Sequence, residues 1–356
     1  MLKNTFFSAA CVSAGLVSFT SHADVGSNPA RAIIHAPIGV MGDHLHAKGE
    51  FMFSYRLMNM QMSGNIQGSD SITDDAIATT VANPYANPPM SPPTVRVVPQ
   101  DMSTQMHMLG FMYAPSDNLT LMAMINYLDK NMTLTTYQGA MGTNTLGDFD
   151  TTSSGLADSK LALLYRLYDA GNHHLHGNFA WIIPTGSEQE SAEVLTPMNS
   201  RMTMRLPYGM QLSSGSHQGE LGITYNGFSE HFSWGAQGLY TTALEKNEQH
   251  YKLGDKLQLS AWTAYEISTQ LSTSARLKYS HTTDISGADA MIQAPVTTAN
   301  PDNYGGELLD LAIGINSVIS GQHRVAFEYQ IPLNQNVNGV QMEMDYMWTL
   351  GYQVAF

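Results

Sequence analysis

Methionine dominates the residues of this chain that could bind a ligand. The chain has 23 methionines in 356 residues. Several recur two apart, as in Met58-x-Met60, Met106-x-Met108 and Met122-x-Met124. In an extended strand, residues two apart share a face, so each pair sets two thioethers side by side. Thioether sulfur is a soft donor that favours Cu(I), and by extension Ag(I). Flexible packing against an interior filler is the other use of such a wall. Upstream, Met41, Asp43, His44 and His46 gather ligand types suited to a cuprous or divalent ion. The same segment also reads as a lid held by hydrogen bonds. His174 and His176 share one strand face and offer a further metal contact or a pH-sensitive mouth.

Fixed charge is the second resource. Arg56, Lys160, Arg276, Lys278, Glu328 and Asp345 stand on the polar parity of their segments. Rings of such charge set solute selectivity in a pore, and the same groups could instead pair across an interior. No catalytic constellation appears. Ser280 and His281 are adjacent and so point to opposite sides of a strand. His217 lies near Ser214 and Ser216 without a third member. There is no Walker loop and no dinucleotide fingerprint. The chain therefore reads as no enzyme and needs no cofactor, bound Cu(I) or Ag(I) aside.

These residues sit on segments with period-two alternation, the signature of strands with unlike faces. About twelve segments alternate in this way, the span of each approaching the ~9–11 residues of a membrane-crossing strand. The first is Glu50–Met62 and the last Gln341–Phe356. Aromatic residues recur near the ends of the apolar parity: Phe51 and Phe53, Phe111 and Tyr113, Phe179 and Trp181, Phe327 and Tyr329. Such girdles mark a barrel in lipid. Charges within the segments fall on the opposite parity, as expected where a lipid-facing Arg or Lys costs ~2–4 kcal/mol. Long connections (63–104, 129–155, 184–219, 242–255, 281–307, 332–340) alternate with short ones. The expectation is an all-β fold: a single transmembrane antiparallel β-barrel with long outer loops and short periplasmic turns.

The N-terminus supplies the address. Lys3, the apolar run to Phe19 and Ser21-His22-Ala23 read as a signal peptide spanning 1–23. A segment at 24–47 then precedes a barrel at 48–356. The expected location is the outer membrane of a Gram-negative envelope, in contact with its lipid. The only cysteine, Cys11, lies in the leader, so thiol catalysis and thiolate metal sites are excluded. Net charge is −14, with 13% charged residues, which argues against a nucleic-acid partner. Phe356 ends a strand with alternate apolar residues, the form of terminal signal that barrel assembly machinery reads.

Five stretches carry a family likeness. They are Ala36-Pro37-Ile38-Gly39-Val40-Met41-Gly42-Asp43-His44-Leu45-His46, Met112-Tyr113-Ala114-Pro115-Ser116-Asp117, Ser153-Ser154-Gly155-Leu156-Ala157-Asp158, Pro184-Thr185-Gly186-Ser187 and Leu206-Pro207-Tyr208-Gly209-Met210-Gln211. Together the chain resembles the outer-membrane transporters grouped as a meta-pathway phenol-degradation family. The resemblance implies a barrel of this length that passes a small solute, with aromatic or hydrophobic compounds as candidates. A soft-metal binding or export barrel built on the Met wall is the alternative.

Overall fold

The computed structural model describes residues 31–319 and 322–356; the leader read at 1–23 lies outside the described residues. Alternating sequence gives long antiparallel strands: β1 (Phe51–Gly68), β2 (Val97–Ser116), β3 (Leu119–Tyr137), β4 (Thr145–Leu156), β5 (Ser159–Ala170) and β6 (His173–Ile183). They continue with β7 (Gln218–Phe228), β8 (Phe232–Ala243), β9 (Lys256–Ser268), β10 (Leu271–Thr282), β11 (Gly306–Ile319) and β12 (His323–Ala355). Neighbours in sequence pair in space, and β12 pairs back onto β1, which closes the sheet and removes its edges.

Two irregularities adjust the count. β4 and β5 both pair with β3, one on its outer half and one on its inner half, so together they make one stave broken at Ala157 and Asp158. β12 doubles back on itself. Residues 323–337 pair with β11 and 337–355 with β1. The two halves stack Tyr329 on Tyr346 and Phe327 on Trp348, and the fold-back runs through Gly339 at φ 59°. The wall therefore has twelve staves.

Alternation sorts the side chains. Leu121, Ile125, Leu161, Phe179, Ile223 and Ile313 are exposed on the outside, while Ser54, Arg56, Thr120, Asn178, Arg276 and Glu328 are buried inside. An apolar exterior over a polar interior suits a wall that stands in lipid.

Two of the expected loops are largely strand. β3 runs on to Tyr137 and β4 starts at Thr145, so 129–155 is mostly a projecting hairpin rather than loop. The span 332–340 is a tight fold-back inside β12. At ~3.3 Å per residue, the 20 residues of β2 reach well past the roughly 25 Å apolar band of such barrels. The outer extensions and loops bury a core of their own, with Leu134, Phe149, Leu206, Tyr208, Met210 and Val296 among its members. Arg96, 0% exposed, ties this cap together by donating to the carbonyls of Ala78, Gln138, Gly139 and Gly142.

Candidate functional site

The lumen is filled from both ends. From the side of the short turns, residues 31–47 enter as a hairpin and leave at Gly49, whose N–H donates to Ala114 at the β2–β3 turn. This plug has little regular structure, so its carbonyls need partners. Inward-facing wall residues supply them. Ser272 Oγ donates to Ala32, Arg324 to Ala36, Gln237 to Met41 (2.9 Å) and Asn226 to Asp43 (2.6 Å). His176 Nε2 lies 2.9 Å from the Gly42 carbonyl. All five wall residues are buried. The tip sits on a buried ion pair: Gly39 touches Arg276 and Glu328, and a Cβ there would overlap both side chains.

From the other end, the loop at 206–217 dips into the wall at the β4–β5 break. Asp158 accepts hydrogen bonds from Ser213 and from the backbone and hydroxyl of Ser214. Lys130 donates to the carbonyls of Gly209 and Gln211.

Of the charges expected to line the interior, Arg56, Lys160, Arg276, Lys278 and Glu328 face inward. They are mostly paired. Arg276 Nη2 lies 2.5 Å from Glu328, reaching across Gly314 of the intervening strand. Lys160 pairs with Glu220 at 2.5 Å and Lys278 with Asp310 at 3.0 Å. Lys256 stands beside these two pairs and has no ion-pair partner among the described residues. This cluster thus holds three ammonium groups, those of Lys160, Lys256 and Lys278, against the two carboxylates of Glu220 and Asp310.

Asp345 departs from expectation. The register between β1 and β12 slips there, Gln61 pairing with Tyr346 but Met62 with Met344. The extra residue is a bulge that reverses parity. Asp345 is exposed and accepts from Ser63 rather than facing the lumen. Met344, which the alternation puts on the outward apolar parity with Tyr346 and Trp348, is buried instead, as is Met342 in the core of the cap.

The methionine wall is continuous. Met58 lies opposite Met106, Met108 opposite Arg56, Met112 opposite Met122, Met124 opposite Gly110 and Met60 opposite Met347 across the closing seam. Its thioethers pack inward: Met52, Met112 and Met122 with Leu45 of the plug and Leu164 of the wall, and Met106 with Leu212 of the outer loop.

On the plug itself, His44 and His46 come together, their ring centroids 4.8 Å apart. Met41 is tied instead through its carbonyl to Gln237. His35 joins the group from the other arm of the hairpin, 5.3 Å from His44. Burial, with Arg324 and His44 adding to it, pushes the His35 imidazole well below its ordinary range. Burial works the other way on Asp43, yet His44, Arg324 and His35 together hold its carboxyl well below the usual carboxylate range. His46 is lowered by burial, with Glu50 opposing.

His35 and the plug-gripping residues escape a motif search. His35 precedes His44 by nine residues, outside any short ligand motif, and meets it only through the turn at Pro37–Val40. The grippers do leave a trace, being amides, histidine and arginine on the inward parity of otherwise ordinary strands.

A family model described as "Putative MetA-pathway of phenol degradation" matches residues 86–309. The chain belongs to that family. Among solved structures it is similar to an outer membrane channel of Pseudomonas putida F1, at 13% identity and TM-score 0.55, over 88% of this chain and 98% of that one. It is also similar to the beta domain of the Bordetella autotransporter BrkA (10% identity, TM-score 0.48, 87% and 100% covered). A third is the toluene transporter TodX of Pseudomonas putida (12% identity, TM-score 0.42, 92% of each chain covered). The first likeness shows the fold, a barrel of the outer-membrane type. No curated protein matches the chain.

Proposed function

We propose that this family member is an outer-membrane channel for passive passage of a small apolar solute, aromatic compounds included. The observation that carries the reading is an apolar cleft in the outer cap, between Val97, Leu134, Phe149, Val194, Leu206 and Val296. An open polar pore has no use for such a cleft, whereas an apolar solute leaving water gains ~25 cal/mol per Å² of surface buried there. The cleft holds about 50 Å³ as it stands. A cavity of roughly 150 Å³ takes benzene, so entry needs the cap to part. Below it, the solute meets thioethers on one wall and paired charges on the other, then the plug. Passage is driven by the gradient alone and involves no chemistry.

In the same reading, residues 1–23 export the chain, and Phe356, exposed at the seam against Phe51, docks on the assembly machinery. The test is entry of an apolar fluorescent probe into cells whose lipopolysaccharide leaflet excludes it. Expression should speed entry of the probe more than entry of a sugar of like size. A paired substitution, Leu134→Asp with Phe149→Asp, should abolish the gain while the folded, heat-modifiable band persists. Equal gains for sugar and probe would refute the apolar reading.

The soft-metal reading has one observation in its favour, the direct facing of Met58 with Met106 and of Met60 with Met347. Replacing Met58, Met60, Met106 and Met108 by Leu tests it. Cu(I) or Ag(I) binding lost with the fold intact supports it, and unchanged binding ends it.

A further inference from the structure

We propose that His35, Asp43 and His44 bind one divalent transition-metal ion, of the Zn(II) or Cu(II) class, which staples the two arms of the plug hairpin. The site uses nitrogen and oxygen donors on the plug and none of the wall thioethers. It is also independent of what the barrel conducts.

The donors converge. One ligand atom from each of the three residues lies within 4.8 Å of the others. Small side-chain rotations would close that triangle onto an ion at the ~2.0–2.2 Å bond lengths of Zn–N and Zn–O. His35 comes from the arm before the turn, Asp43 and His44 from the arm after it, so one ion would tie both. Asp43 is already oriented: its Oδ2 accepts from the Ala36 N–H at 3.1 Å, a backbone contact that fixes the carboxylate as an outer partner fixes a ligand.

Unmet valence is the second observation. A lid held only by hydrogen bonds should satisfy its buried polar atoms. Here Nδ1 of His35, Nδ1 of His44 and Nε2 of His46 are buried without a hydrogen-bond partner among the described residues. His44 Nδ1 lies 3.0 Å from Asp43 Oδ1 without the alignment of a hydrogen bond. His46 is 5% exposed, its ring tilted beside that of His44, and it stands outside the three-donor group.

The surroundings select the ion. Arg56 and Arg324 bear on Asp43, so charge attraction alone would not hold a cation here. Ca(II) and Mg(II), which need several oxygens, are disfavoured. Ions that bond imidazole nitrogen covalently are favoured.

The experiment titrates the mature, full-length barrel in detergent micelles with Zn(II), with Co(II) as a spectroscopic probe and Ca(II) as the control. One Zn(II) should bind per chain, Co(II) should give the d–d bands of a nitrogen–oxygen site, and Ca(II) should not compete. His35→Gln and His44→Gln should each weaken binding at least about tenfold, the scale that even an outer partner commands. His174→Gln, at the mouth beside Asp169, should leave it unchanged. Zn(II) should also slow hydrogen exchange of residues 31–47 in the parent and not in His44→Gln. Absence of stoichiometric binding, or binding that survives both His35→Gln and His44→Gln in folded protein, overturns the proposal.

Discussion

The grip of the wall on the plug can be put to a number. Asn226 and Gln237 each donate a side-chain amide to a plug carbonyl, that of Asp43 and that of Met41. A neutral hydrogen bond of this kind contributes a net ~0.5–1.5 kcal/mol. The two lie on adjacent strands but hold different carbonyls, so their effects should roughly add. Replacing both with Ala should weaken retention of the plug by about 1–3 kcal/mol. At 1.4 kcal/mol per tenfold, release becomes roughly 5- to 150-fold more frequent. Single-channel recording in a planar bilayer reads this as the fraction of time spent in the larger conductance. Hydrogen exchange over 31–47 reads it independently and should accelerate by the same factor. The single variants should each show about half the effect in free energy. If the double variant records and exchanges like the parent, these amides do not hold the plug. A parent barrel that already shows one steady, wide conductance would refute the larger premise that 31–47 closes the lumen.

Three further outcomes follow from the same geometry. Gly39→Val should force the tip off the Arg276–Glu328 pair, giving open events without denaturing the barrel; a closed channel with native exchange at 31–47 would show that the tip has room to spare. Lys256→Gln removes the excess ammonium of its cluster with Lys160 and Lys278, so reversal potentials under a salt gradient should shift toward cation preference, while Asp345→Asn should leave them unchanged. Acid should loosen the plug. Burial holds His35 neutral in place, but once released into water it behaves as an ordinary histidine, whose pKa is about 6.5, so the released form gains protons as pH falls below that value. Retention is therefore full above about pH 6.5 and declines below it, seen as a rising open fraction from pH 7 to pH 5 that His35→Gln flattens.

Much of the wall was legible because lipid is a strict solvent. Leu121, Ile125, Phe179 and Ile313 had to alternate with polar neighbours, and they do. The same strictness placed Arg56, Lys160, Arg276, Lys278 and Glu328 inside. Legibility ends where the lipid does. Leu128–Tyr137 and Thr145–Leu156 are strands standing mostly in water, with polar residues on both faces, and so read as loop. Asp345 was misplaced because a single bulge reverses every parity beyond it, and no residue type announces it. The metal-ligating types at His44 and His46 were visible, whereas His35 was not. Its place depends on a turn whose tip is shaped by an ion pair on strands far along the chain.

That last dependence has a consequence for biogenesis. The plug is synthesised before any strand, yet several of its seats, Ser272, Arg276, Arg324 and Glu328, lie in the final third of the chain, after those on His176, Asn226 and Gln237. Its other neighbour, β1, cannot complete its pairing until the C-terminal half of β12 arrives. Contacts of such long sequence separation form slowly. Seating of the plug and sealing of the wall are therefore joint, terminal events of maturation. A nascent barrel passes through a stage in which its first-made segment waits outside its berth, and whatever receives the chain in the periplasm must keep that segment clear of the seam until the last hairpin is delivered.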